Sequence, residues 1–239
     1  CKQKLDMKLC PNRGKNLVIA VDGIKYARYP VKTPLVTEKD RDPVFFVKKQ
    51  LPGILEKGDV IFISEKIISI MQGRAYQING IKPTKIAKIL SKFVQKRPGG
   101  IGLGMPETMQ LAIDEAGLPR IILAALFSLL TKPFGLKGVF YIIAGDQARA
   151  VDGPTQNTIP PYNNYAVKAP LKPDKVAEEI SKEIGAGAAI VDVNDWGVRI
   201  LGKSRIFKIN EKFLSRALKD NPLGQCDEST PIGIIRKIK

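Results

Sequence analysis

The sequence predicts a mixed α/β or α+β fold, with a large antiparallel or mixed sheet and packed helices. Short apolar runs bounded by Gly, Asp and Pro recur along the chain, as in GDVIFIS (58–64), AAIVDVND (188–195) and PIGIIRKI (231–238). Runs of this length, rich in β-branched residues, read as buried strands. Between them lie amphipathic helical segments such as KPDKVAEEISKEIG (172–185), whose apolar residues return at helical spacing. With 239 residues and 44% apolar side chains, the chain can bury a substantial core and offset its conformational entropy. No internal repeat or linker is evident, so a single domain over 1–239 is expected, with a mild break in the loop between 152 and 170.

Taken in order, NLVIAVDGI (16–24) reads as extended. YARYPVKTPLV (26–36) is extended but broken by Pro30 and Pro34. DPVFFVKKQL (42–51) starts a helix, with Asp42 as N-cap and Pro43 in the first position, and Pro52-Gly53 ends it. PTKIAKILSKFVQK (83–96) carries Ile86, Ile89, Leu90, Phe93 and Val94 at helical spacing, which predicts core packing. RPGGIGLGMP (97–106) is a Gly-rich loop. A helix follows over 106–117, and a second runs through Ile121–Leu130 to Lys132-Pro133. GVFYIIAG (138–145) reads as a strand and DGPTQNTIPPYNNY (152–165) as a long loop. Beyond AAIVDVND come a strand at GVRILG (197–202), a helix at NEKFLSRALKDN (210–221) and the terminal strand.

Composition excludes several chemistries. The chain contains no His, which removes Ser-His-Asp and Cys-His nucleophile systems, His-ligated zinc and imidazole bases. Its cysteines, Cys1, Cys10 and Cys226, form no disulfide framework and suit a reducing cytoplasm, with Cys226 read as an inert thiol. No signal-peptide pattern opens the visible sequence. The apolar stretch at 121–130 is too short to span a bilayer, which needs roughly 20 residues, so no membrane partner is expected.

The net charge of +16 attracts anions of every kind. The Lys residues are dispersed, and no alternation of basic and aromatic residues builds a stacking platform. A solvated Lys-rich surface and a cleft for a small anion are therefore the favoured readings, and no specific nucleic-acid partner is expected.

Phosphate motifs are weak. GxxxxGK[ST] is absent, and Gly100, Gly102 and Gly104 precede a helix without a strand before them, so they read as a flexible turn. The scarce carboxylates are more informative. Asp146 and Asp152 flank the start of a loop, Asp192 and Asp195 close an apolar strand beside Asn194, and Asp227 and Glu228 precede the last strand beside Gln225. Oxygen donors at strand ends suit Mg²⁺ or Mn²⁺ and, through it, phosphates; they equally suit turns and caps.

GDVIFISEKIISIMQGR (58–74), VDVNDWGVRILGKS (191–204) and above all NPLGQCDESTPIGIIR (221–236) resemble the coenzyme F420-0:L-glutamate ligase family, as a divergent branch of it. The resemblance implies a gamma-glutamyl ligase fold, an intertwined homodimer, and GTP- (or ATP-) and Mg²⁺- or Mn²⁺-dependent addition of L-glutamate to an anionic acceptor. Position by position, it implies nucleotide contacts from Thr33, Pro34, Leu35 and Val36, from Glu65 and Lys66, and from Thr155. The turn of Leu223, Gly224, Gln225, Cys226, Asp227, Glu228 and Ser229 would add further contacts. It implies metal ligands at Asp152 (with Asp146 as rival), Asp192, Asp195 and Gln225. Lys66, aided by Arg74, would offset phosphate charge, and Asp195 would take a proton from the incoming amine.

Two family positions differ here. A Lys is replaced by Ile70, and an oxygen ligand after Asp192 by Val193, leaving Asn194 or Asp195 to serve. Residues 118–137 and the 154–165 loop lack a counterpart in the deazaflavin enzymes, and the resemblance leaves the acceptor open between F420-0-like and folate-like. The other reading of the same resemblance is a non-catalytic member that binds nucleotide or an anionic cofactor.

Overall fold

The computed structural model describes residues 10–94, 102–136, 138–156, 158–194, 197–224 and 228–238. The first elements are β1 (Val18–Val21), β2 (Ile24–Val31), α1 (Pro43–Gln50), β3 (Val60–Ser64) and α2 (Glu65–Met71). Then come β4 (Ala75–Gln77), α3 (Lys85–Leu90), α4 (Pro106–Ala116), α5 (Leu118–Thr131), α6 (Val139–Ala144), α7 (Asp146–Arg149) and β5 (Tyr165–Val167). The chain closes with α8 (Pro173–Ile184), β6 (Gly187–Asn194), β7 (Gly197–Lys203), α9 (Glu211–Ala217) and β8 (Ile232–Lys237). It divides into two compact units, one formed by the chain up to Gly73 and from Pro170 onward, the other by Arg74–Ala169. The class is mixed α and β, as expected.

In the first unit the described strands form a six-stranded mixed sheet in the order β1-β2-β8-β3-β6-β7. β3 and β6 run parallel and the other neighbours antiparallel. Ile61, Phe62 and Ile63 of β3 and Ile190 and Val191 of β6 are fully buried, which is why these strands read as continuous apolar runs. One face joins Phe62, Ala189, Val191 and Ile235 to Ile209, Leu214, Ala217 and Leu218 on and around α9. Helix α8 packs on β6 and β7, and α1 on α8.

Asp42 caps α1 by accepting from the Phe45 N–H at 3.0 Å, with Pro43 in the first turn, as its sequence predicts. NLVIAVDGI is not one extended segment. Asp22 and Gly23 both take positive φ (51° and 78°) and turn the chain as a two-residue hairpin from β1 into β2; this backbone matches strand twist and suits an Asp-Gly pair. Pro30 is accommodated because β1 pairs only with Ile24–Ala27 of β2, so the missing N–H interrupts no ladder on that side.

Arg28 is the largest fully buried side chain, only 1% exposed. Its guanidinium grips both carboxylate oxygens of Asp220 and donates to the carbonyls of Ala217 and Asn16. Burial pushes the Asp220 carboxyl up. Hydrogen bonds and charge from Arg28, with the charge of Lys15, outweigh that and hold it below the ordinary carboxylate value. A second guanidinium, Arg236 on β8, takes both oxygens of buried Asp59 at 2.9 and 2.7 Å.

Gly202 on β7 is where α8 meets the sheet. A Cβ there would lie 2.3 Å from the Pro173 carbonyl carbon and 2.4 Å from the Asp174 nitrogen. Backbone cannot step aside as a side-chain tip can, so Gly202→Ala should cost about 1–3 kcal/mol by overpacking. Thermal unfolding should show a fall of several degrees. Gly197→Ala, with open space around its Cα, should change the midpoint little; equal effects at both sites would remove the packing explanation.

The second unit pairs β4 with β5 antiparallel beside α3–α7, around Leu103, Met109, Leu111, Ala112, Ile121 and Phe140. Two sequence expectations fail here. The 138–145 segment is helix α6 rather than a strand. Its β-branched and aromatic composition favours a strand locally, yet packing against α5 and α7 wins, and its buried residues, Phe140 and Ala144, stand one helical turn apart. Likewise Ile86, Ile89 and Phe93 are not core residues. They are exposed, while Ala87 is buried and Leu90 and Val94 pack against the cluster.

Candidate functional site at one end of the sheet

The register of the first unit brings distant segments to a common end. β8 lies between β2 and β3, and its first residue, Ile232, faces Val31 on one side and Ile63 on the other. On the far side of β3, Ser64 is level with Val191 of parallel β6. Consequently Thr33–Val36 leaving β2, Glu65 and Lys66 leaving β3, Asp192 closing β6 and Glu228–Ser229 entering β8 all emerge at the same sheet end. Main-chain bonds tie them together. The Thr33 N–H donates to the Ser229 carbonyl and the Ser229 hydroxyl to the Thr33 carbonyl, each at 2.9 Å. The Ser64 N–H donates to the Pro231 carbonyl at 2.8 Å.

Within the first of these segments Thr33 and Val36 are buried anchors, while Pro34 and Leu35 are exposed between them. The Leu223-Gly224 turn is built by Asn221, which takes φ 51° and donates from its side chain to the Gly224 carbonyl at 3.0 Å. The Thr230 hydroxyl donates to the Leu223 carbonyl at 2.8 Å. The Glu228 carboxylate packs directly over Gly224, whose φ of 78° is a backbone that residues with a side chain rarely adopt.

Lys66 is half-buried in the first turn of α2, next to buried Glu65. Asp192 is half-buried and stands directly opposite Arg199 of β7, a cross-strand pairing of opposite charge. Arg199 is a cation of this sheet end that sequence reasoning did not single out, because only the β6–β7 register puts it there. Asn194 donates to Asp192 at 3.3 Å and accepts from the Gly197 N–H at 3.0 Å, so it closes the β6–β7 turn while orienting the carboxylate. Val193 lies among the apolar residues packed on the α9 side, and Ile70 is buried in α2. Asp195, Gln225, Cys226 and Asp227 lie outside the described residues, as does Gly100.

The remaining expected residues belong to the second unit. Asp152 exchanges two main-chain hydrogen bonds with Val167, each 2.9 Å, and so extends the β4–β5 pair. Thr155 accepts from the Thr158 N–H at 3.1 Å in the following turn. Asp146 is the first residue of α7. Arg74 is engaged inside this unit. It is nearly buried, donates to the Ala169 carbonyl, and meets Glu115 at 2.8 Å, while Lys168 meets the other Glu115 oxygen at 3.0 Å. Burial pushes the Glu115 carboxyl up, but hydrogen bonds and charge from Lys168 and Arg74 outweigh it and hold it below the usual value. Among the described residues, no three of Cys, Asp and Glu gather closely enough to hold a metal ion, and no helix is long and apolar enough to cross a membrane.

The model of the F420-0:gamma-glutamyl ligase family matches residues 30–195. The chain belongs to the F420-0:gamma-glutamyl ligase family. No curated protein matches it significantly. As a member of this ligase family, the chain holds within the matched range three of the four segments that meet at the sheet end, those after β2, after β3 and at the end of β6. The fourth, before β8, lies beyond the match.

Proposed function

We propose that the chain is a nucleotide- and metal-dependent ligase that joins L-glutamate to a carboxylate-bearing cofactor acceptor, F420-0-like or folate-like. The observation that carries this reading is the meeting, at one sheet end, of the Thr33–Val36, Glu65–Lys66, Asp192 and Glu228–Ser229 segments in a chain of this ligase family. The donors available there are oxygen atoms, which fit a hard cation. Asp192, with Asp195 and Gln225, would hold Mg²⁺ or Mn²⁺, which neutralises charge on nucleotide phosphates when bound.

The chain's own residues carry the rest. Lys66 would offset charge on the phosphoryl group as it passes from GTP or ATP to an acceptor carboxylate oxygen. That transfer releases the nucleoside diphosphate and leaves an acyl phosphate. The glutamate α-amine then attacks the acyl carbon, inorganic phosphate leaves, and Asp195 takes the amine proton. No step calls for an imidazole, in keeping with a chain without His.

The test is mass spectrometry of F420-0, a reduced folate and a pterin acid incubated with the chain, glutamate, Mg²⁺ and GTP or ATP. An added glutamyl unit is expected, with diphosphate release requiring both glutamate and acceptor, because the acyl phosphate is productive only beside a positioned amine. Buried Ile70 and α9-facing Val193 favour the second reading, a non-catalytic nucleotide-binding member. Nucleotide binding with no glutamylation of any acceptor would select it.

A further inference from the structure

The second unit holds a nearly buried ion cluster whose charges do not cancel. Arg74 leads into β4 and Lys168 follows β5, and the Lys168 N–H donates to the Arg74 carbonyl at 3.0 Å. Tyr76 stands opposite Ala166, and alternate residues of a strand share a face, so Arg74, Tyr76 and Lys168 line one face of the β4–β5 pair. From α4, Glu115 meets Arg74 with one carboxylate oxygen and Lys168 with the other, at 2.8 and 3.0 Å. Its carboxyl is held below the usual value, so it is ionised and supplies one negative charge to two cations. Arg74 and Lys168 are only 9% and 8% exposed. A surplus charge withdrawn from water is costly, and the Tyr76 ring, 5.2 Å from the Lys168 ammonium, offsets only part of that cost. Asp152 does not restore the balance, because it stands opposite Val167 and so belongs to the other face.

The donors are also incompletely used. Arg74 has five N–H donors and Lys168 three. Protein oxygens take one from Arg74 Nε, at Ala169, and one each from Arg74 Nη2 and Lys168 Nζ, at Glu115. Neither residue is among those whose buried polar atoms lack a partner, so the remaining Nη1 end of Arg74 opens to solvent. We propose that Arg74 and Lys168 form a binding site for a small oxyanion, a carboxylate or phosphate group, which takes the donors Glu115 leaves and balances the cluster. A guanidinium fork beside an ammonium suits either group. The inference does not rest on the ligase reading, since the site lies wholly within the second unit and is asked for no metal or nucleotide contact.

The experiment is isothermal titration of the 239-residue chain with inorganic phosphate and, separately, with glutarate, in chloride buffer of matched ionic strength. At least one of the two should bind, and the pair of titrations tells which group the site prefers. Lys168→Met leaves Arg74 and Glu115 as a balanced pair and should weaken that binding about tenfold or more, as losing a charged hydrogen-bond donor does. If it fails to fold, Lys168→Gln makes the same comparison. Glu115→Gln should act in the opposite direction, tightening binding about fivefold or more by removing a like charge ~4 Å away; a purely structural brace gives no such gain. If that variant fails to fold, the Lys168 comparison decides alone. Lys88→Met, at an exposed position on α3, should bind as the parent does. Absence of binding by both anions overturns the inference. Binding that Lys168→Met leaves unchanged overturns it too, and places the anion elsewhere on the chain. So does an equal loss in Lys88→Met, which assigns the binding to diffuse surface charge, and so does a folded Glu115→Gln that binds no more tightly.

Discussion

Arg28→Met should lower the stability of the first unit by about 3 kcal/mol, the low end for breaking a buried ion pair, because Asp220 is partly solvated and can rehydrate. For a chain of this size that corresponds to a fall in midpoint of roughly 6–12 °C. Methionine fills much of the volume but leaves the Asp220 carboxylate and the Ala217 and Asn16 carbonyls without their donors. The interaction also has a pH signature. Because the folded Asp220 carboxyl is held below its ordinary value, its ionised form is the one that stabilises. That contribution is fully present above the unfolded value near ~4 and is lost as pH falls through the lower folded value. Asp220→Asn keeps the shape without the charge. The stability difference between parent and Asp220→Asn should therefore narrow as pH drops below about 4. A difference that stays constant across that range would show that Asp220 acts through shape alone.

Asp192→Asn should remove the response of the protein to nucleotide and metal. In the parent, Mg²⁺ with GTP or ATP at about 100 times the dissociation constant should stabilise the native state by roughly 2.7 kcal/mol, a rise of about 5–10 °C. Asparagine keeps the volume and a carbonyl oxygen but loses the charge, so the rise should vanish while the midpoint without ligand changes little. Glutamylation should drop by at least ~10²-fold, because losing the metal's charge at the phosphates costs several kcal/mol in the transition state. Lys66→Ala should behave differently, cutting turnover more than nucleotide binding if its charge acts on the transferring phosphoryl group. A ligand-induced rise that survives in Asp192→Asn would exclude that carboxylate from the metal site.

What the sequence determined by itself was local. Asp42 and Pro43 start α1 because a cap needs only its own next three residues, and α8 shows its apolar stripe without reference to any partner. The β3, β6 and β8 runs are so apolar that burial on both faces is their only stable outcome. The absence of His and the family resemblance likewise depend on no fold.

Tertiary structure decided the rest. Residues 139–144 have strand composition but become α6, because their packing partners α5 and α7 outweigh local preference. The same balance exposes Ile86 and Ile89, which carry a helical pattern with too little neighbouring surface to cover it. The Asp-Gly hairpin is local turn chemistry and so legible in the sequence, although the apolar residues on both sides of it read as one extended run. Above all, the sheet order sets the site. Thr33 and Ser229 are bonded across the start of β8, and Arg28 on β2 meets Asp220 from the far end of the sequence. Strand register is a choice among long-range pairings of nearly equal local propensity, and it is settled by which faces can be buried together. Asp192 could be named from its strand end, but Arg199 opposite it, like the partnership of Arg74 and Lys168 with Glu115, exists only once the chain has closed on itself.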